Sequence, residues 1–273
     1  MGKPFHIHLV SDSTGETIGL IARASLVQFD DIEPSEHMWP MVRSEAQVNE
    51  VVDNIKANPG FVIFTIVDNT IREMLENGCR ELKVPCIPVL DPVVNALGSY
   101  LGAEIHAAPG RQHVMDAEYF GRIDALHFVL SHDDGQATRS INAADIIIVG
   151  VSRTSKTPTC IYLANRGLKA ANVPIVPGCA PPPELLAATR PLIVGLTHHP
   201  KQLVEIRRNR LRSLGQDEET DYIDIETVTA EVREAKKLYA GNNWPVIDVT
   251  RKSIEEVAAS ILQLYNKRLE EHA

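Results

Sequence analysis

Apolar residues along the chain fall into two rhythms. Short runs in which nearly every position is apolar alternate with stretches in which apolar residues recur every three or four positions, the marks of buried strands and amphipathic helices. Residues 5–10 form the first run and lead through the polar loop 11–17 into a helix carrying Ile18, Ile21, Ala22 and Leu26. Residues 38–42 read as a second strand. Ser44 and Gln47 follow at capping-box spacing, before a helix with Val48, Val51, Val52 and Ile55. Asn58, Pro59 and Gly60 stop that helix. Residues 61–67 and 85–90 are further apolar strands, each running to an aspartate (Asp68, Asp91) that opens a helix. Strands alternating with helices of this length predict βαβ units and a mainly parallel sheet.

Between 102 and 110 the composition shifts to small residues and proline, which marks a boundary. The pattern therefore predicts an α/β fold in two domains: an N-terminal open, mainly parallel sheet over 1–103 and a second α/β domain over 104–273. In the second domain helices are expected over 113–130, 201–214 and 225–238, and strands at 146–149, 173–176, 191–197 and 244–249. A last helix is capped by Ser253 and Glu256. No internal repeat is visible in the sequence.

The apolar run at 146–149 is followed at once by Gly150, then Val151, Ser152, Arg153 and Thr154, then Ser155, Lys156, Thr157 and Pro158. Tyr162, Leu163 and Ala164 continue at helical spacing. This is a strand, a tight loop and a helix, matching G-x-x-x-x-G-K-[ST] except that Ser155 stands at the second glycine. Such a loop turns backbone N–H groups and a helix N-terminus onto phosphate oxygens. Lys156 would add a point charge and the Thr157 hydroxyl would ligate Mg²⁺. Lys156 is expected to be exposed at the helix N-terminus, and the second domain to be of the P-loop nucleotide-kinase type.

Three further clusters leave alternatives open. Ser13 and Glu16 have capping-box spacing, and the loop 11–17 could instead be a polar pocket at a strand's carboxyl end. Asp133 and Asp134 before Gly135 read as a solvated turn, or as a metal ligand or general base beside a phosphate site. In the helix 201–214 an apolar stripe of Leu203, Ile206, Leu211 and Leu214 contains Arg207 and Arg210 and leaves Arg208 and Arg212 outside. Arginines on such a stripe either pair with an acid such as Glu205 or Glu226, or reach a cleft and contact phosphate. His6 and His8, two apart on one strand, read as an ordinary strand face rather than a metal pair.

A formal charge of −9, from 27 basic and 36 acidic residues, argues against nucleic acid and anionic membrane as partners. No run approaches the length of a membrane span, and no signal peptide is seen. Four cysteines, Cys79, Cys86, Cys160 and Cys179, lack C-x-x-C spacing and read as reduced core thiols of a cytoplasmic protein.

Residues 11–17 (SDSTGET), 132–136 (HDDGQ), 150–158 (GVSRTSKTP) with 169–174 (KAANVP), and 248–256 (DVTRKSIEE) together resemble one family over nearly the whole chain. It is the pyruvate, phosphate dikinase regulatory protein family, which includes the phosphoenolpyruvate synthase regulatory proteins. Ser155 belongs to that family's form of the loop. The resemblance implies a bifunctional serine/threonine kinase and phosphorylase. It would phosphorylate a threonine of its target from ADP, and would remove the group with inorganic phosphate, releasing pyrophosphate. Gly150 through Thr157 would be the ADP site. Pyruvate, phosphate dikinase is the expected target and phosphoenolpyruvate synthase the alternative, with a non-catalytic ADP-sensing regulator as a third possibility. A homodimer is also expected. Lys156, Asp133, Asp134, Arg207 and Arg210 are the candidate catalytic residues.

Overall fold

The computed structural model describes residues 3–104, 117–215 and 220–272. The chain divides into two units, residues 1–114 and 115–273. The expected boundary at 103/104 adjoins residues 105–116, which lie outside the described residues, as does the start of the helix expected at 113.

In the first unit β1 (Lys3–Ser11) leads to α1 (Glu16–Leu26), β2 (Ile32–Trp39), α2 (Glu45–Ala57), β3 (Gly60–Thr65), α3 (Asn69–Glu81), β4 (Cys86–Pro88) and α4 (Asp91–Leu101). All strands pair in parallel in the order β2-β1-β3-β4. Val10, Val62 and Phe64 pack with α2 and α3 on one face, and Ile7, Leu9 and Ile63 pack with α1 on the other. Alternating side chains of a parallel sheet thus reach cores on both faces. Burying each such side chain contributes roughly 1.5–3 kcal/mol. The box of Ser44 and Gln47 is present at the start of α2. The one expected from Ser13 and Glu16 is not: α1 begins at Glu16, after Gly15 at φ 84°, with no side-chain cap. The second strand lies at 32–39 rather than 38–42, because Pro40 follows it and its exposed edge residues carry no apolar signal.

The second unit opens with α5 (Ala117–Ser131) and two short 3-10 turns, Asp133–Gly135 and Thr138–Ala143. Then come β5 (Ile146–Gly150), α6 (Lys156–Ala164), β6 (Ala170–Pro174), α7 (Pro183–Leu186), β7 (Leu192–Thr197), α8 (Pro200–Leu214), α9 (Ile225–Gly241), β8 (Val246–Asp248) and α10 (Ile254–His272). Its sheet is also all parallel, in the order β6-β5-β7-β8. Ile146 and Ile148 face α5, α6 and α10, whereas Ile147 and Val149 face α8 and α9. Burial on both faces is what the unbroken apolar run at 146–149 demands. In each sheet the chain passes from the second strand across the first to the third, so a switch point lies between β1 and β3 and another between β5 and β7. No helix among the described residues is long and apolar enough to cross a membrane.

Candidate active site

β5 ends at the switch point of the second sheet, and the loop that follows is drawn tight. A Cβ on Gly150 would come within 2.7 Å of Thr154 Oγ1 and 3.2 Å of the Leu196 carbonyl, so only glycine lets the chain turn here. The Thr154 hydroxyl donates to the Val151 carbonyl at 3.0 Å and closes the loop on itself. Arg153 and Ser155 both hold positive φ (68° and 60°). The strained Ser155 thus keeps the left-handed backbone that a glycine would adopt without cost. No side chain caps α6 at Ser155, and the first-turn N–H groups of a helix have no partner within the helix itself.

Lys156 is not exposed, as its position in the sequence suggests, but 94 % buried at 6 % relative accessibility, with Nζ donating to the Val151 carbonyl at 3.0 Å. Its stem lies along Gly150, which lets the amine fold back onto the loop. Burial lowers its pKa to about 8, against the opposing pull of Asp134 and Asp133.

The two acids are gathered beside it. Thr157 Oγ1 donates to Asp133 Oδ1 at 2.9 Å. Asn172, from the middle of β6, places its amide nitrogen 2.6 Å from Asp133 Oδ1, 3.2 Å from Asp134 Oδ1 and 2.9 Å from Thr157 Oγ1. Asp133 is half-buried in this knot, whereas Asp134 is exposed and sits at φ 48°, in the left-handed region that aspartate tolerates better than most residues. His132 steadies the turn from behind. It stacks on Phe128, meets Ser140 Oγ through Nε2 at 2.7 Å, and its carbonyl accepts from Asn172 N. Asp133 is therefore tied to Thr157 and Asn172, whereas Asp134 keeps the exposure of a turn with one contact, from Asn172. Asn172 and His132 lie in the stretches that carry the family resemblance, but sequence reasoning named neither as a site residue. The signal for Asn172 was a lone polar residue inside the strand 170–174, itself displaced from the expected 173–176 because Ala170 and Ala171 are too small to register as a strand.

The arginines of α8 divide. Its inner face is Leu203, Val204, Arg207 and Leu211, while Ile206 and Leu214 are half-exposed, so the stripe is rotated from the one expected. Arg207 is 1 % exposed. It pairs with Glu231 at 2.7 Å, donates to the Tyr222 carbonyl at 3.0 Å and the Ser152 carbonyl at 3.3 Å, and stacks over the Tyr222 ring. Ser152 Oγ meets Tyr222 OH at 2.9 Å. Arg207 thus braces the loop from behind, with Glu231 as its partner rather than Glu205 or Glu226. Arg210 is exposed, contrary to its expected place on the inner stripe, and Arg208 pairs with Glu205 on the surface.

Of the other sequence candidates, Cys179 is exposed rather than a core thiol, unlike buried Cys79 and Cys160. Among the described residues no cluster of His, Cys, Asp and Glu is arranged to hold a metal on its own.

The profile of a family described as kinase/pyrophosphorylase matches residues 7–262. A protein of Paramagnetospirillum magneticum is 56 % identical over 268 residues, covering 98 % of this chain and 86 % of its own. One from Caulobacter vibrioides is 54 % identical, covering 95 % and 82 %. One from Rhizorhabdus wittichii is 52 % identical, covering 96 % of both. All three carry the designation pyruvate, phosphate dikinase regulatory protein.

Proposed function

The chain belongs to the kinase/pyrophosphorylase family, and from that premise we propose that it is an ADP-dependent protein phosphotransferase and phosphorylase acting on a threonine of pyruvate, phosphate dikinase. The relatives' designation supports the target. One juxtaposition supports the chemistry: a buried lysine on a closed loop, an uncapped helix N-terminus, and two carboxylates within reach of both.

Phosphoryl transfer asks a protein to position reactants and to stabilise charge on the transferring group. Lys156 and the first-turn N–H groups of α6 receive the ADP phosphates in place of the Val151 carbonyl. Thr157 and Asp133 would hold Mg²⁺, a hard cation suited to hydroxyl and carboxylate oxygens, which when bound neutralises phosphate charge. Asp134, exposed and lightly engaged, accepts the proton of the target threonine. The threonine oxygen bonds to the β-phosphorus of ADP as the bridging P–O bond breaks, leaving AMP. For removal, an oxygen of inorganic phosphate bonds to the phosphorus of phosphothreonine. Pyrophosphate leaves and the threonine oxygen regains a proton from Asp134. The same cradle serves both reactions because each needs one anion held beside the reacting phosphoryl group. Arg207, enclosed by Glu231, Tyr222 and Ser152, acts as a positioning residue rather than touching phosphate.

The test is incubation with β-labelled ADP and either purified dikinase or purified phosphoenolpyruvate synthase. Label on a threonine of the dikinase is expected. Label on the synthase alone would reassign the target, and binding of ADP without transfer would leave a nucleotide sensor.

A further inference from the structure

Asn172 is 1 % exposed in the middle of a strand whose neighbours are alanine and valine, a costly place for an amide unless every polar atom is used. Its two ends are unequally served. The nitrogen faces three acceptors with two protons, while Oδ1 meets no hydrogen-bond partner. Nothing at the far end therefore holds the amide in one orientation, and only the near end decides. With nitrogen inward, the amide bridges two carboxylates and a hydroxyl. With oxygen inward, Oδ1 would take the nitrogen's place, 2.6 Å from Asp133 Oδ1 and 2.9 Å from Thr157 Oγ1, the N/O exchange leaving the heavy-atom positions unchanged. The contact between the amide oxygen and the Asp133 carboxylate is repulsive by itself and favourable around a small cation.

We propose that Asn172 is a two-state ligand of a divalent-cation site. Its amide nitrogen stands in for the cation while the site is empty of metal. When the cation enters, the amide turns over so that Oδ1 coordinates beside Asp133 Oδ1 and Thr157 Oγ1. The remaining positions go to phosphate oxygens and water, as Mg²⁺ prefers. Asp134 loses its contact with the amide nitrogen in the same motion, which frees its carboxylate for the acceptor hydroxyl. Metal loading and release of the base are thereby one event. The last step rests on the phosphotransfer reading above, whereas the cation site does not.

The test is a Mn²⁺ titration followed by electron paramagnetic resonance on the full chain, first without and then with inorganic phosphate, so that neither ADP nor a target protein is involved. Asn172→Leu is expected to bind Mn²⁺ at least ~10-fold more weakly than wild type, a loss that even outer-shell partners of a metal can produce. Asn172→Asp is expected to bind at least as tightly as wild type, because it offers oxygen in either orientation. Three carboxylates without metal repel, so Asn172→Asp should also melt lower in EDTA and recover when Mn²⁺ is added. If Asn172→Leu unfolds, the Asn172→Asp pair of measurements carries the test alone. Wild-type affinity in Asn172→Leu, or loss of Mn²⁺ binding in Asn172→Asp, would overturn the proposal. A failure of ADP to label any target, with the Mn²⁺ series as expected, would sink the phosphotransfer reading and leave the cation site standing.

Discussion

The loop after β1 and the loop after β5 hold equivalent places, each following the first strand of a four-stranded parallel sheet and each at its switch point. Their contents differ in sign. After β1 come Ser11, Asp12 and Ser13, all buried, with Asp12 Oδ2 accepting from Val67 N at 2.8 Å and Ser11 Oγ accepting from Thr65 Oγ1 at 2.9 Å. Burial raises the pKa of Asp12 against the opposing pull of Arg43, whose Nε donates to the Asp12 carbonyl at 2.6 Å, and the loop 11–17 itself contains no basic residue. After β5 the loop is closed by Thr154 and carries Lys156 over its mouth. Shared topology thus gives each unit a loop at its switch point, and the phosphotransfer reading proposed above assigns phosphate to the second, whose loop carries Lys156. The cores differ as well. The second sheet has α5, α6 and α10 on one face and α8 and α9 on the other, whereas α4 of the first unit buries no residue and leaves Leu97, Tyr100 and Leu101 exposed.

The contrast is broken most easily at the acids. Asp134→Asn is expected to slow threonine phosphorylation by ~10²–10⁴-fold with ADP affinity unchanged, the size of effect a general base has. Asp12→Asn should leave the rate within a few-fold. Single-turnover rates and calorimetric affinities on both variants check this, and equal rates in Asp134→Asn and wild type would remove the base from the mechanism.

Next in size is the brace. Arg207→Ala removes a fully buried guanidinium and leaves Glu231, 11 % exposed, without its partner, and should destabilise the second unit by about 3 kcal/mol. Arg210→Ala, on the surface, should stay within about 0.5 kcal/mol. Denaturant midpoints measure both, and matching midpoints would mean that Arg207 is not held as described.

Lysine protonation gives a smaller, graded effect. Below about pH 8 Lys156 is charged in the free protein; above it, the amine loses its proton while an unfolded lysine would keep it up to about 10.4. A bound phosphate favours the charged form and raises this pKa, so above about pH 8 ADP binding takes up a proton. Affinity should fall by up to tenfold per pH unit. Calorimetry in buffers of different ionisation enthalpy reads the uptake directly. A flat affinity from pH 7 to 10 would place the phosphate away from this amine.

The smallest effect belongs to the first unit. His8 is fully buried, with Nε2 against the Asn58 carbonyl and Nδ1 accepting from Trp39, and His37 stacks on it. Burial, reinforced by His37 and His6, lowers its pKa below 6.5. Folding therefore favours the neutral ring. The stabilisation is complete above about pH 6.5 and declines as pH falls toward the folded pKa. Thermal melts between pH 7.5 and 5 should show this slope weakened in His8→Gln, and an unchanged slope would exonerate the histidine.

Much of the alternation of strands and helices was legible because buried parallel strands and amphipathic helices have distinct periods, and 146–149 could hardly be read otherwise. What stayed hidden follows from the same physics. An edge strand such as β2 buries little, so Glu33 and Glu36 carry no apolar rhythm. Lys156 has a stem long enough to bury its amine, which no pattern records. Arg207 and Arg210 are three apart and could share a face, and only the packing of Val204 fixed which one turned inward. The meeting of Asp133, Thr157 and Asn172 depends on contacts 15 to 39 residues apart in sequence, beyond any local rule.

The most direct measurement of the central claim is the stoichiometry of ADP binding to wild type, Lys156→Ala and Asp12→Asn by titration calorimetry. One ADP per chain is predicted, weakened at least ~10-fold by Lys156→Ala and unchanged by Asp12→Asn, in keeping with the loss of a single charge-stabilising donor. Two ADP per chain, or wild-type affinity in Lys156→Ala with loss in Asp12→Asn, would contradict it.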